Sequence, residues 1–392
     1  MGGSEGSRLI WMAPNLSFSS PGSLRYWEPL FREMQRVFPG ILYLAAGGVC
    51  PRYKETFNVR SVGWSVRVAT VGSKSGHYDR GFTLLSPAVG FELLRLKPDV
   101  VVTPEFNLWT IIAALLKPIG RWGLVVLFEG SSPSSDFLDS RLRLAVRRWV
   151  AGKADAFITN SNAGVRYLTR HLHAREERVR RIVHETASAD TLLGGPSPAP
   201  PIHAGRRPRF LYAGQLISRK GVNHLLDAWS KLRGQRPSKG SLWVVGDGPL
   251  KPELMRQAGA LGLSEVHFVG GVDYGSIGSW YGGCDVLVLP TLEDTWGMVV
   301  LEAMALGKPV LCSVRAGASE LVAGGVNGFT FKPEDSGRLA DLMLEFIDKP
   351  RLAVEFGLKS AEAMSAYTHA KAADAIRDLI NAVAYNRQTG SG

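Results

Sequence analysis

Residues 291–311 read TLEDTWGMVVLEAMALGKPVL. The run Val286–Leu289 just before them is short, apolar and strand-like. A polar loop follows, then Gly297, then an apolar helical stretch Met298–Leu306, then a second apolar run Val310–Cys312. Strand, helix and strand in immediate succession form a βαβ unit, and such a crossover makes the two strands parallel. Gly297 lets the backbone approach a ligand closely, and Gly297–Val299 open the helix. First-turn amides have no partner inside a helix and lie at the positive end of its dipole, so they suit a phosphate. Glu302 lies about one turn inward and Asp294 lies in the preceding loop. Two carboxylates thus flank a ring of free amides, a pattern suited to a diphosphate with hydroxyl-rich groups on either side. Glu302 stands among apolar residues and needs a partner, because an unpaired buried carboxylate is costly.

The same alternation extends in both directions. Upstream in this half, strands are expected at Arg209–Tyr212, Leu242–Val245 and Val266–Phe268. Helices are expected at Val222–Leu232, Pro249–Leu261, Tyr274–Tyr281, Ala318–Ala323 and Arg338–Ile347, with one helical tail over Ala361–Tyr385. The first half reads likewise, with strands at Arg8–Met12, Ile41–Ala45, Val100–Thr103, Leu124–Phe128 and Ala156–Thr159. Its helices are expected at Ser23–Val37, Leu108–Leu116, Ser140–Ala151 and Asn162–His171, with Ser23 and Asn162 as N-caps. Repeated βα alternation implies an α/β protein with parallel sheets. The stretch GGPSPAPPIHAGRRP, residues 194–208, blocks both helix and central strand and so marks a linker. The expected division is a domain over 1–194, a linker over 195–208, a domain over 209–365 and a helical end over 366–392, which can pack back on the first domain.

Two other turns carry chemistry. AGQLISRKG, residues 213–221, brings Arg219 and Lys220 to a helix start, where a forked and a compact cation suit phosphate oxygens. VVGDGPL, residues 244–250, places Gly246 and Gly248 in a sharp turn. No GxGxxG follows an N-terminal strand, which argues against a dehydrogenase.

Bulk properties set the remaining bounds. The 392 residues are 45% apolar and 21% charged, as in ordinary globular proteins, and the length suits two domains. Three scattered cysteines, Cys50, Cys284 and Cys312, lack metal-ligand spacing and point to no zinc site, no disulfide framework and a reducing compartment. Cys284 and Cys312 read as small core residues. No signal peptide is visible, and Lys117, Pro118 and Arg121 interrupt the longest apolar segment, Leu108–Leu127, as a helix, turn and strand. A cytoplasmic protein is expected. The net charge is +11, and residues 1–205 carry 25 basic against 16 acidic side chains. Arg141, Arg143, Arg147 and Arg148 fall on one expected helix, a face suited to an anionic lipid surface or an acidic substrate. No nucleic-acid-binding motif accompanies the charge.

Residues 206–365 resemble the donor-binding domain of the GT4 family of retaining glycosyltransferases. The resemblance rests on AGQLISRKGVNHLLDAW, VVGDGPL, FVGGV, CDVLVLPTLEDTWGMVVLEAMALGKPVL and ELVAGGVNGFTF, in that order. The first half resembles the family in PDVVVTPEF, VVLFEGS and ADAFITNSNAGVRYL. The resemblance implies the GT-B fold, two Rossmann-like βαβ domains facing each other across a cleft. It implies transfer of a hexose-type sugar from a nucleotide-diphosphate sugar to a glycan, lipid-linked or small-molecule acceptor, with retention and by front-face attack. No Asp-x-Asp pair is poised on a strand end to hold a divalent ion, so no metal or other cofactor is expected, and Lys220, Arg219 and the Gly297–Val299 amides can take that part. The resemblance also implies polysaccharide biosynthesis, and the basic first half suits peripheral contact with the inner face of the membrane.

By that resemblance Glu302 holds the ribose, Asp294 contacts the transferred sugar with Glu293 alongside, and Lys220 binds the diphosphate. Gln215 stands where the family has an arginine, so Arg219 is expected to supply that charge. Gly214, Gly246, Gly248, Gly270, Val272, Trp296, Gly297, Met298 and Val299 complete the donor site, Trp296 chiefly by packing the loop. Glu129 stands where the family has a histidine, and its role is either at the sugar or acceptor or as a strand-end carboxylate paired with an arginine. Pro21 and Gly22 represent the acceptor-side loop, and Gly317–Ala318 a later paired glycine. A nucleotide-sugar epimerase, a phosphorylase and a non-catalytic sugar-nucleotide binder remain alternative readings.

Overall fold

The computed structural model describes residues 8–14, 18, 24, 26–68, 82–194, 202, 205–236 and 239–390. Among these, the chain forms two compact units. One runs to Glu185 and takes in the chain from His369 onward, and the other holds Thr186–Thr368.

The first unit contains strands β1 (Leu9–Ala13), β2 (Leu42–Ala45), β3 (Val59–Ser61), β4 (Ser65–Val68), β5 (Phe82–Leu85), β6 (Val100–Pro104), β7 (Gly123–Phe128), β8 (Ala156–Thr159) and β9 (Val179–Arg181). Seven of them form a parallel sheet in the order β3-β2-β1-β6-β7-β8-β9, while β4 and β5 pair as a separate antiparallel ribbon. β1, β6, β7 and β8 are buried along their whole length. That burial explains their unbroken apolar sequences, since helices cover both faces of a parallel sheet.

The helices of this unit are α1 (Glu28–Val37), α2 (Pro51–Thr56), α3 (Val89–Leu96), α4 (Leu108–Gly120), α5 (Arg141–Lys153), the short α6 (Asn162–Arg166) and a C-terminal helix, His369–Gln388. The last buries Ala372, Ile376, Ile380 and Val383, a stripe of helical spacing, in one core with Leu30, Phe31 and Met34 of α1 and Trp11 of β1.

Several local expectations are corrected. Ser161, not Asn162, caps α6, accepting from Gly164 N–H at 3.0 Å. α4 runs past Leu116 and through Pro118, ending where Arg121 turns left-handed and donates its N–H to Lys117 O. Its cap is Asn107, whose Oδ1 accepts from Trp109 and Thr110 amides. Ser23 lies outside the described residues, and α1 opens at Glu28 with Pro29 in its first turn.

The second unit contains β10 (Arg209–Ala213), β11 (Ser241–Val245), β12 (Val266–Gly270), β13 (Val286–Leu289), β14 (Val310–Ser313) and β15 (Gly328–Phe331). All are parallel, in the order β12-β11-β10-β13-β14-β15. Its helices are α7 (Ala189–Leu193), α8 (Val222–Gln235), α9 (Lys251–Ala260), α10 (Tyr274–Gly283), α11 (Met298–Ala305), α12 (Ser336–Asp348) and α13 (Arg351–Met364), which makes the C-terminal helix α14.

The strand order reverses between β10 and β13, the switch point at whose carboxyl ends open α/β sheets bind ligands. The expected helix at Ala318–Ala323 is a 3₁₀ turn over Gly317–Leu321. The expected single tail helix is two helices. The chain turns at Ser365–Thr368, where the Tyr367 carbonyl accepts from Thr186 Oγ1 at 2.7 Å. The boundary between units falls at Glu185–Thr186, ahead of the proline-rich stretch, of which residues 195–201, 203 and 204 lie outside the described residues.

Candidate functional site

The turns after β10, β11 and β12 interlock. Gly214 N–H donates to Val245 O, Leu216 N–H to Asp247 O, and Gly246 N–H to Gly270 O at 2.8 Å. At Gly246 φ is +141°, and a β-carbon there would lie 1.8 Å from the Gly214 carbonyl oxygen. The glycines noted in the sequence thus pack one turn upon another, and only a backbone without side chains lets the three meet at the sheet's carboxyl edge. Gln215 is exposed on this edge, and Val272 is half-buried.

The switch point itself is bridged by backbone and charge. Ser218–Lys220 form a 3₁₀ turn, and Arg219 O accepts from Leu292 N–H at 2.7 Å and from Thr291 Oγ1 at 2.9 Å. The Arg219 guanidinium donates back to Glu293 O at 3.3 Å. Gly221 is left-handed (φ +65°), and a β-carbon there would meet Pro290 O at 2.2 Å. Lys220 Nζ donates to Asp294 Oδ2 at 2.5 Å, both side chains largely buried. The turn after β13 is clamped from the other side, as Gly317 N–H donates to Asp294 O and Ala318 N–H to Trp296 O. Trp296 is only 3% exposed and lies beneath Gly317, so its ring packs the loop.

Gly297 (φ +102°) precedes α11, whose first internal bond is Val300 N–H to Gly297 O. The amides of Met298 and Val299 come before that bond and point out of the helix start. Glu302 is 2% exposed, and two hydroxyls satisfy it. Tyr281 donates to Oε2 at 2.6 Å and Tyr274 to Oε1 at 3.1 Å. Burial pushes the Glu302 carboxyl above its usual range, and the two hydroxyl bonds oppose that push. The partner the sequence demanded is therefore a pair of α10 tyrosines. Tyr274 and Tyr281 escaped the sequence reading because they recur seven residues apart, as core aromatics do on any helix.

Glu129 belongs to the first unit, immediately after β7. Among the described residues no arginine pairs with it. Its N–H donates to Glu105 Oε1 at 3.0 Å, and its carbonyl accepts from Asn160 Nδ2 at 3.1 Å. Burial raises both carboxyls, and the Glu129 charge adds to the rise at Glu105, which is pushed up to about 8. Glu105 was missed in the sequence; its signal is an acid directly after the strand in PDVVVTPEF. Pro21 and Gly22 lie outside the described residues.

Comparison with known proteins decides the family. Residues 198–369 match the model of glycosyl transferases group 1, and residues 41–183 that of the glycosyl transferase 4-like domain. The chain belongs to these glycosyltransferases.

A D-inositol 3-phosphate glycosyltransferase of Streptomyces avermitilis is 29% identical to this glycosyltransferase over 274 residues, which cover 65% of the chain and 57% of that protein. The chain thus spans under two thirds of the length of that relative. Among solved structures, HepE of Anabaena, in complex with UDP, superposes with a TM-score of 0.73 at 19% identity, covering 96% of this chain and all of that one. Sucrose-phosphate synthase from Thermosynechococcus elongatus gives 0.67 at 19% identity, covering 98% of this chain and all of that one. The fold of this glycosyltransferase is GT-B, with a Rossmann-like sheet in each unit. Its second unit carries Arg219 and Lys220 on the loop after β10, Asp294 on the loop after β13, and the first-turn amides and Glu302 on α11.

Proposed function

We propose that this glycosyltransferase moves a hexose-type sugar from a nucleotide-diphosphate donor to a glycan, lipid-linked or small-molecule acceptor, with retention and without a metal ion. The observation that carries the reading is the Lys220–Asp294 pair, beside Arg219 at the β10/β13 switch point. As the sugar–phosphate bond breaks, negative charge gathers on the diphosphate and an oxocarbenium-like sugar forms. Lys220, Arg219 and the Met298 and Val299 amides meet the growing phosphate charge. Such preorganised groups act most where charge develops in the transition state. Asp294 holds the sugar hydroxyls while orienting Lys220, and Glu302 accepts from the ribose. Gln215, Val272 and the glycine turns at Gly214, Gly246, Gly248 and Gly270 wall the nucleotide. HepE is solved with UDP-glucose, which supports a nucleotide sugar as donor.

The first unit takes the acceptor, and its chemistry supports one presented at the inner surface of a membrane in polysaccharide assembly. No helix of the described residues is long and apolar enough to cross a bilayer. α5 instead has no acidic residue, carries Arg141, Arg143, Arg148 and Lys153, and exposes Leu142 and Trp149. A helix of this kind lies on an anionic bilayer surface.

The test pairs thermal shift with nucleoside diphosphate release, using UDP-, GDP- and ADP-sugars with and without EDTA. A donor at a hundredfold excess over its Kd should stabilise the protein by about 2.7 kcal/mol. Release should depend on acceptor and survive EDTA. Release that stops on chelation, or stabilisation by no donor, overturns the reading.

A further inference from the structure

Tyr274 is the first residue of α10, two positions past Val272 and four past Gly270, the last residue of β12. Its main chain leaves the sheet at the carboxyl edge, where Gly270 O accepts from Gly246 N–H at 2.8 Å. Its side chain runs to α11, and its hydroxyl donates to Glu302 Oε1 at 3.1 Å. One tyrosine thus joins the turn after β12 to the carboxylate on the helix after β13. A nucleoside whose ribose meets Glu302 and whose base reaches the turn at Gly270–Val272 has to cross the same gap, so it lies along this side chain.

The two tyrosines that hold Glu302 differ in what else they can touch. Tyr281 is fully buried and donates to Oε2 at 2.6 Å. Tyr274 is only half-buried, so part of its surface stays open at the carboxyl edge. Its neighbours Gly271 and Gly275 are exposed and have no side chain to cover it. A β-carbon added at Gly275 would meet nothing within 4 Å, so there is open space beside the ring's own turn. The carboxylate has room as well. An ionised carboxylate accepts about four hydrogen bonds. The tyrosines take one place on each oxygen, and about two places remain, which suits the paired 2′- and 3′-hydroxyls of a ribose.

We propose that Tyr274 is a nucleoside-binding residue whose ring is the face on which the base lies and whose hydroxyl keeps Glu302 turned toward the ribose. The idea rests on the transferase reading and deepens it. That reading gives the base a wall of backbone turns, and Tyr274 adds an aromatic side chain, a surface on which any base can stack. Tyr281 has no open face and only positions the carboxylate. The nucleoside is held alike before and during transfer, so loss of the ring contact raises KM and leaves kcat.

The test uses the full chain and four variants: Tyr274→Phe, Tyr274→Ala, Tyr274→Leu and Tyr281→Phe. The probe is whichever of UDP, GDP and ADP stabilises the wild type most. Calorimetry compares it with its 2′- and 3′-deoxy analogues and with ribose 5-diphosphate, which lacks the base. The gain in affinity that the base brings should shrink at least about fivefold in Tyr274→Ala and Tyr274→Leu. Tyr274→Leu keeps apolar bulk, so a fold weakened by truncation does not decide the result. Tyr274→Phe should keep the base gain and lose about threefold of the preference for the ribose hydroxyls. Tyr281→Phe should also keep the base gain, which separates the two tyrosines. In turnover, Tyr274→Ala should raise KM for the donor by the factor its affinity falls and leave kcat within about twofold. A base gain unchanged in both Tyr274→Ala and Tyr274→Leu overturns the proposal, as does a loss confined to kcat. A base gain that depends on Tyr274 in a chain that transfers no sugar defeats the transferase reading and leaves the nucleoside contact standing. A wild type that binds none of the three nucleotides overturns both.

Discussion

Lys220 Nζ lies 2.5 Å from Asp294 Oδ2, so the turn after β10 and the turn after β13 are joined by charge across the switch point. Both side chains are largely withdrawn from solvent. The pair therefore has two consequences, one for stability and one for turnover, and they can be separated. Lys220→Ala leaves a carboxylate with its cation removed, and breaking such a buried pair costs roughly 3 kcal/mol. On the proposed reading the same change also removes a preorganised positive group at the diphosphate, which should lower turnover by roughly 10²–10³. The double variant Lys220→Met/Asp294→Leu should recover most of the melting temperature, because an apolar pair can replace a buried ionic one at little cost. Its turnover should stay as low as that of Lys220→Ala. Recovery of turnover in the double variant would show that Lys220 serves only the fold.

Glu302 is held by Tyr281 from one side and Tyr274 from the other. Tyr281→Phe removes a hydrogen bond to a charged group, worth about 1.5–3 kcal/mol. The same bond holds the carboxyl down against burial, so its loss lets the carboxyl rise further. Affinity for UDP should then fall about tenfold, and fall more as pH is lowered. The preference for UDP over its 2′- and 3′-deoxy analogues should shrink as well, measured by calorimetry. A variant that keeps the full ribose preference would place the nucleotide elsewhere.

The parts of this site differ in how far the sequence exposes them, for a physical reason. Gly297, Asp294 and Glu302 are legible because each breaks a local rule: a glycine before a helix, an acid in a loop between apolar runs, an acid inside an apolar helix. Both sheets are legible because their strands are buried on two faces and so read as unbroken apolar runs. What stays hidden depends on contacts between distant segments. The Lys220–Asp294 bond spans 74 positions, and nothing near either residue encodes it. The break at Ser365–Thr368 is hidden because both flanking segments have helical patterns, and only their partners distinguish them, since α13 packs on α11 and α14 on α1. β3, β9 and β15 are short and lie at or beside sheet edges, where the apolar signal is weakest.

The Glu105–Glu129 pair also shapes stability against pH. Glu105 is pushed up to about 8 when folded, above its ordinary value near 4.3 when unfolded. Between those values the folded state binds more protons than the unfolded state, so stability falls as pH rises through that window. Glu105→Gln removes the group responsible. Its melting temperature should match the wild type at pH 5 and exceed it at pH 8.5 by at least about 2–4 °C, the shift that corresponds to about 1 kcal/mol in a unit of roughly 200 residues. Scanning calorimetry across that range gives the answer, and parallel curves for the two proteins would mean that Glu105 titrates normally.

α5 carries the remaining prediction. Leu142, Ala145 and Trp149 recur at i, i+3 and i+7, which places them on one stripe of the helix, and all three are exposed. Arg141, Arg143 and Arg148 flank the stripe, and the helix contains no acid. Arg147 is not part of this surface, because it is committed to Tyr167 and Asp136. Each basic residue near an anionic bilayer contributes about 1 kcal/mol, so replacing three with glutamine should weaken binding roughly a hundredfold. The protein should sediment with phosphatidylglycerol vesicles, release them as salt rises, and ignore phosphatidylcholine vesicles. Trp149→Ala and Leu142→Ala should weaken binding at high salt as well, since their part is burial rather than charge. Because Leu142 and Trp149 are already exposed, these changes should leave the stability within about 0.5 kcal/mol of the wild type. Vesicle binding that survives loss of all five side chains would move the contact to another face of the first unit.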